Sequence, residues 1–360
     1  MDWPVSAVGQ RIMRSATAQL SWVVVAALLA VAARGDAKGV SGMRTLPFVT
    51  RGVVICVDDL SLKDWPERAE AAGLTTIALS PPPGLAEFLG SQAGRDFLAT
   101  CRRLEVQVEY EFHAASELLP RNLFEQHPDY FRMDDEGKRT ADANLCVSSE
   151  GALEIACTNA AAMCKLLRPL RHRYFFWTDD NQPMCRCPQC REYSDSEQAL
   201  ILENRLLAAI RKVDPQARLA HLAYGKTWDP PRKVKPSAGI FLEFAPFHRN
   251  HRVPLTDPAN KAILDGLDAN LKVFAAAEAQ VLEYWTDVSM ASDWKKPATK
   301  LDLNVDLLRD DLRTYAARGI RQVTSFAVFL DGAYAAKYGA GLIEEYGRGF
   351  QNKDEAEGEG

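Results

Sequence analysis

The sequence has no surplus of basic charge: 43 Lys+Arg stand against 48 Asp+Glu, a formal net charge of -5 over 360 residues. Binding to a phosphate backbone draws on clustered cations, so nucleic acid is excluded as an expected partner. A glycine-rich phosphate loop is also missing, because the first apolar run leads into Asp58-Asp59-Leu60-Ser61. There is no internal repeat and no low-complexity linker. The 47% hydrophobic and 25% charged composition excludes disordered, collagen-like and multi-span membrane chains. No cysteine precedes Cys56, so a lipobox is absent.

Residues 20–33 read LSWVVVAALLAVAA, preceded by Arg11 and Arg14 and followed by small residues up to Ala37. A membrane span needs about 20 apolar residues, and this run is shorter. Its order of basic, apolar and small parts is that of an export signal over 1–37. The expectation is an exported protein, periplasmic or extracellular, without stable membrane insertion once the leader is removed; an uncleaved anchor is the alternative. The acidic, glycine-containing stretch 351–360 reads as a frayed tail.

Between these ends, short β-branched or aromatic runs alternate with helical segments. The runs fall at 53–57, 75–80, 106–113, 174–180, 218–224, 240–248, 281–287 and 322–330. Helices are expected at 65–72, 95–104, 152–167, 196–213, 263–276 and 306–317. Nearly continuous apolar strands alternating with helices predict an α/β protein, a single-domain (β/α)8 TIM barrel over 48–350. An open doubly wound sheet is the runner-up and lacks its phosphate loop.

Barrel enzymes carry their chemistry at the C-terminal ends of strands. Here those ends offer His113; Asp179 and Asp180; Tyr224 with Trp228; Glu243, His248 and Arg249; and Glu283, Trp285 and Asp287. Sugar faces stack on aromatic rings and hydroxyls bond to carboxylates, so this mixture suits a glycan. Glycoside hydrolysis commonly uses two carboxyl groups. The adjacent pair suits substrate-assisted cleavage, Asp180 protonating the leaving oxygen and Asp179 holding a 2-acetamido group. Glu283 facing Asp180 would instead make a direct two-carboxylate retaining enzyme, and Glu243 could replace Glu283 in either scheme. Glu283, Trp285 and Asp287 are spaced by two, which places them on one strand face. The remaining site residues, His113, Tyr224, Trp228, His248 and Arg249, are expected to line the pocket. No organic cofactor is implied.

Immediately after the acid pair comes Cys185-Arg-Cys187-Pro-Gln-Cys190, with Cys146 upstream as a fourth sulfur. Four cysteines can hold a tetrahedral zinc. In an exported chain two disulfides are the stronger expectation. Either staple would stiffen the loop carrying Asp179 and Asp180.

The stretch FFWTDDNQPMCRCPQCREYSDSEQALILENRLLAAIRKVDPQARLAHLAYGKTWDPPRKVKP resembles the domain of unknown function 4838 (DUF4838), a grouping that overlaps glycoside hydrolase family 163. Its marks are the acidic strand end, the C-x-C-x-x-C loop, Asn204, Pro215, Leu222-Ala223-Tyr224 and Pro230-Pro231. The similarity runs from Glu109 to Arg249. It implies a barrel glycosidase with endo-β-N-acetylglucosaminidase action on N-glycan-type substrates, substrate-assisted retention, and an acid at Asp179 or Asp180. Where that pattern leads one to expect an acid after strand six, this chain has Phe247-His248-Arg249. The competing classes are a non-catalytic sugar-binding barrel and a zinc-stabilised interaction module.

Overall fold

The protein is described by a computed structural model covering residues 46–80 and 84–351. The leader at 1–37, and the tail from residue 352, lie outside the described residues. Eight parallel strands close into a barrel in chain order: β1 (Thr50–Cys56), β2 (Thr76–Ser80), β3 (Gln107–His113), β4 (Arg173–Trp177), β5 (Arg218–Ala223), β6 (Ile240–Phe244), β7 (Gln280–Glu283) and β8 (Gln322–Phe326). The β1–β8 seam, with Gly52 opposite Thr324, completes the ring. A side chain at Gly52 would meet Thr324 and Thr76 at 2.9–3.1 Å, so the closed wall has room only for glycine there.

The helices expected from periodicity are present as α1 (Trp65–Ala71), α3 (Gln92–Arg103), α5 (Glu150–Leu166), α6 (Asp195–Ile210), α7 (Lys261–Asn270) and α9 (Val305–Ala317). Five further ones add α2 (Leu85–Gly90), α4 (Ala115–Leu118), α8 (Val288–Ala291), α10 (Gly332–Tyr338) and α11 (Gly341–Gly349). Capping explains the starts: Ser194 accepts from the Glu197 N–H at 3.2 Å while Glu197 accepts from the Ser194 N–H at 2.9 Å, and Asn304 accepts from the Leu307 N–H at 3.0 Å. No helix among the described residues is long and apolar enough to cross a membrane.

Strands four, six, seven and eight end three to four residues earlier than their apolar runs, at Trp177, Phe244, Glu283 and Phe326. Beyond the ends of strands six, seven and eight the chain keeps apolar residues that wall a cleft rather than a sheet, whereas strand four gives way to Thr178-Asp179-Asp180. Inside the barrel, Val54, Ala78, Phe175, Trp177, Ala220, Leu222, Phe241, Ala245 and Leu282 form their own packed cluster, separate from the larger layer between strands and helices. Alternating small and large side chains fill the interior, so the barrel is a core and not a pore.

Candidate functional site

A cleft of about 280 Å³ opens at the C-terminal ends of the strands. His113 closes β3, Trp177 closes β4, Leu222 and Tyr224 come from β5 and its exit, and Ala245 and Phe247 follow β6. Leu282, Tyr284, Asp287, Ser289 and Trp294 come from β7 and beyond, Phe326 and Val328 from β8. Asp180, two residues past Asp179's backbone neighbour Thr178, stands in this cleft with its side chain 64% exposed. His113 Nε2 lies 3.8 Å from Asp180 Oδ1, while His113 Nδ1 is 2.5 Å from the Thr178 carbonyl oxygen, which orients the ring. Burial, with the Asp180 carboxylate nearby, pushes the Tyr224 phenol up to about 12, and burial raises the Tyr284 phenol well above its ordinary value. Both phenols therefore remain hydrogen-bond donors at neutral pH.

The aromatic wall is continuous. Tyr284 packs edge-on to Phe247 at 5.2 Å and tilts against Phe326 at 5.4 Å, and Trp294 stands 6.4 Å from Phe247. Trp294 is 60% exposed, and its φ of 55° follows Asp293 at 51°. Two successive non-glycine residues in the left-handed region are costly, by about 1–2 kcal/mol each. That backbone holds an indole at the mouth of the cleft. Phe247, Tyr284 and Phe326 were not among the expected site residues; the available signal was that Phe326 closes β8 while Tyr284 and Phe247 come just after β7 and β6.

Asp287 also reaches the cleft, but as the N-cap of α8. Its Oδ1 accepts from the Ser289 and Met290 N–H groups at 3.0 and 3.1 Å and from Ser289 Oγ at 2.6 Å. Burial raises its carboxyl.

Several expected site residues stand elsewhere. Asp179 turns from the cleft into a side crevice: it accepts from Arg121 at 2.5 Å and from the Asn144 N–H, and its own N–H donates to Asn144 Oδ1 at 2.8 Å. The strand has ended by then, as the paired-acid scheme required, yet the two acids diverge. Glu283, Trp285 and Arg249 face the helix layer, not the pocket. Arg249 Nη1 bridges Glu283 Oε1 at 2.8 Å and Asp311 Oδ2 at 2.7 Å, Tyr315 donates to Glu283 at 2.5 Å, and Trp285 donates to Asp311 at 3.0 Å. The spacing of two did put Glu283 and Trp285 on one face, but Gln280, Leu282 and Tyr284 took the inward positions. Trp228 lies against Phe244 at 4.7 Å and beside Gly266 of α7, outside the barrel wall. His248 is exposed on the outer side of Phe247.

Glu243 is inside the barrel but fully buried beneath the cleft, accepting from Trp177 Nε1 at 2.7 Å and from Gln280 Nε2 at 3.3 Å. Glu109 and Glu111 share this interior with Arg173, whose guanidinium lies 3.8 Å over the Phe241 ring and 3.6 Å from Glu109. Burial, then Glu243 and Glu109, hold the Glu111 carboxyl well above its usual range, and burial pushes Glu243 up to about 8. A carboxyl raised in this way is neutral in the folded state where the unfolded chain is ionised. Its stabilising effect is fully present below the unfolded value, about 4, and is lost as pH rises through the folded value. Glu111 Oε1 accepts from Gln280 Nε2 at 3.0 Å while Oε2 has no partner, so glutamine keeps the bond and removes the charge. Glu111→Gln is expected to melt like the parent near pH 5 and about 2–4 °C higher near pH 9, read by thermal unfolding across pH; equal melting at both pH values would refute the buried-acid account.

Cys146, Cys185, Cys187 and Cys190 are all buried, and their sulfurs lie within 4.8 Å of one another. None is bonded to another: Cys146 Sγ is 3.7 Å from Cys187 Sγ and 3.8 Å from Cys190 Sγ. A disulfide requires about 2.05 Å, so the expected pair of disulfides is not what the fold presents.

Barrel and cleft together define a (β/α)8 protein with an acid-bearing, aromatic-walled pocket on its C-terminal rim. The chain belongs to the family described as domain of unknown function 4838, matched over residues 92–338. Among solved structures it is similar to a β-N-acetylhexosaminidase from Bacteroides fragilis, at 10% identity and TM-score 0.51, over 83% of this chain and 65% of that one. It is also similar to a β-galactosidase from Rahnella, at 12% identity and TM-score 0.51, over 85% of this chain and 57% of that one. This chain thus spans less than two thirds of either, and the likeness is one of fold. No curated protein matches it.

Proposed function

We propose that the protein is a glycoside hydrolase acting on N-acetylhexosamine-containing glycans. The observation that supports this most is the accessible Asp180 carboxylate on the rim of an aromatic cleft, flanked by His113, Tyr224 and Tyr284. The barrel's likeness to a hexosaminidase and a galactosidase fits the same reading. In it, Trp294 stacks on the apolar face of the sugar and the 2-acetamido oxygen attacks the anomeric carbon as the glycosidic C–O bond breaks, the protonated form of Asp180 giving its proton to the leaving oxygen; water then opens the cyclic intermediate and returns a proton to Asp180. Asp287, whose Oδ1 carries all its cap bonds, offers Oδ2 to the acetamide N–H. Tyr284 can donate from within the apolar wall to the acetamido carbonyl oxygen and so orient it toward the anomeric carbon. With Glu283 in a buried ion cluster, a direct double displacement between Asp180 and Glu283 has no shared space.

The test compares aryl N-acetyl-β-glucosaminide and N-glycan substrates with the matching aryl glucoside. Release from the acetamido substrates alone is expected. Equal turnover of the glucoside would replace substrate assistance by a direct mechanism, and glycan binding without turnover at any pH would make this a sugar-binding barrel.

A further inference from the structure

We propose that Cys146, Cys185, Cys187 and Cys190 form a structural zinc site that fixes the loop carrying Asp180. Four thiolates at a Zn–S distance of about 2.3 Å on a tetrahedron are separated by edges of about 3.8 Å. The sulfurs of Cys146, Cys187 and Cys190 already stand at 3.7 and 3.8 Å, and all four are within 4.8 Å, with their side chains buried. Disulfide pairing would bring them to about half that spacing. The surroundings suit anionic sulfur rather than neutral packing. Cys185 Sγ accepts from the Met133 N–H at 3.3 Å and the Cys187 N–H at 3.5 Å, and the Arg139 guanidinium lies 3.7 Å away.

Zinc entry would release the four thiol protons to solvent and leave a dianionic tetrathiolate, which these N–H groups and Arg139 partly offset. The chain segments so joined are far apart in sequence: Cys146 follows β3, and the other three follow β4. Asn144, two residues before Cys146, donates through its N–H to Asp179 and through Nδ2 to the Pro183 carbonyl at 3.1 Å. The ion would therefore brace both flanks of Asp180 without touching substrate. The zinc site stands whether or not the cleft cleaves glycans.

The full chain, purified without added metal, is expected to hold one zinc per chain by elemental mass spectrometry, with these four thiols unreactive until a chelator and denaturant are applied. Exchange with cobalt should produce the intense thiolate-to-metal absorption of a tetrahedral sulfur site. Cys187→Ser should lose the zinc, whereas Cys164→Ser, in α5, should retain it. If Cys187→Ser does not fold, cobalt absorption by the unaltered chain decides. Absence of metal, whether with free thiols or with two disulfides by intact mass, would overturn the proposal, and stoichiometric iron would overturn the assignment to zinc.

Discussion

Replacing Arg249 by methionine is expected to destabilise the barrel by about 3–5 kcal/mol, because it leaves two buried carboxylates without their cation. Arg249 is the common partner of Glu283 and Asp311, and none of the three side chains reaches solvent at the Arg249–Glu283–Asp311 contact. Burial alone would lower the Arg249 guanidinium, but Glu283, Tyr315 and Asp311 hold it firmly charged. Burial and Glu283 raise Asp311 even with the arginine present. Without the arginine the acids can escape only by taking up protons, so the deficit should shrink as pH falls through the carboxylate range. Urea unfolding at pH 7 and pH 5 measures both effects; a loss below about 1 kcal/mol at pH 7 would show that the cluster contributes little. Glu283→Gln is the informative companion. It retains an acceptor for Tyr315 and leaves Arg249 with Asp311, so activity per folded molecule should be unchanged. A large specific loss of activity there would restore Glu283 to the reaction.

Asp180→Asn should lower kcat on acetamido substrates by about 10²–10⁴-fold with KM nearly unchanged, the span expected when a proton donor is removed and shape is kept. Asparagine cannot donate a proton to the leaving oxygen, while the exposed position makes the change harmless to folding. Initial rates on aryl glycosides with good and poor leaving groups sharpen the test, because a good leaving group needs little protonation and should recover much of the rate. Parental activity in Asp180→Asn would remove the central residue of the proposed function. Asp179→Asn is a different experiment: it weakens the tie to Arg121 and Asn144, and its effects should combine loss of stability with partial loss of rate.

The fold was readable in the linear pattern. Eight apolar runs separated by helical periods allow few closed arrangements, and the strand and helix positions followed; the helices α2, α4, α8, α10 and α11 were missed, α4 and α8 because a single turn carries no periodic signal. The rim was readable in part. His113, Asp180, Tyr224 and Asp287 reach the cleft as expected, whereas Asp179, Glu243, Glu283, Trp285, Arg249, Trp228 and His248 do not line it. For Glu283 and Trp285 the cause is the alternation of β7, whereas Glu243 points inward but lies beneath the cleft, and Asp179, Trp228, His248 and Arg249 follow strand ends where no period fixes direction. In an all-parallel barrel both strand faces are buried, so hydrophobicity does not say which residue of an alternating pair looks inward. A carboxylate on either face looks the same in sequence: Glu243 faces inward under Trp177, and Glu283 faces outward against Tyr315.

The amino-acid order by itself determined the eightfold βα alternation, the placement of polar chemistry at strand ends, and the nearness of three cysteines, since these are properties of short segments. Only the tertiary structure decided that Asp180 enters the cleft while Asp179 does not, that Arg249 bridges a buried acid pair, and that Cys146, expected as the fourth sulfur, does stand with the other three. Each of those depends on which way a side chain points and on contacts between residues far apart in the chain, and neither is encoded in a local period.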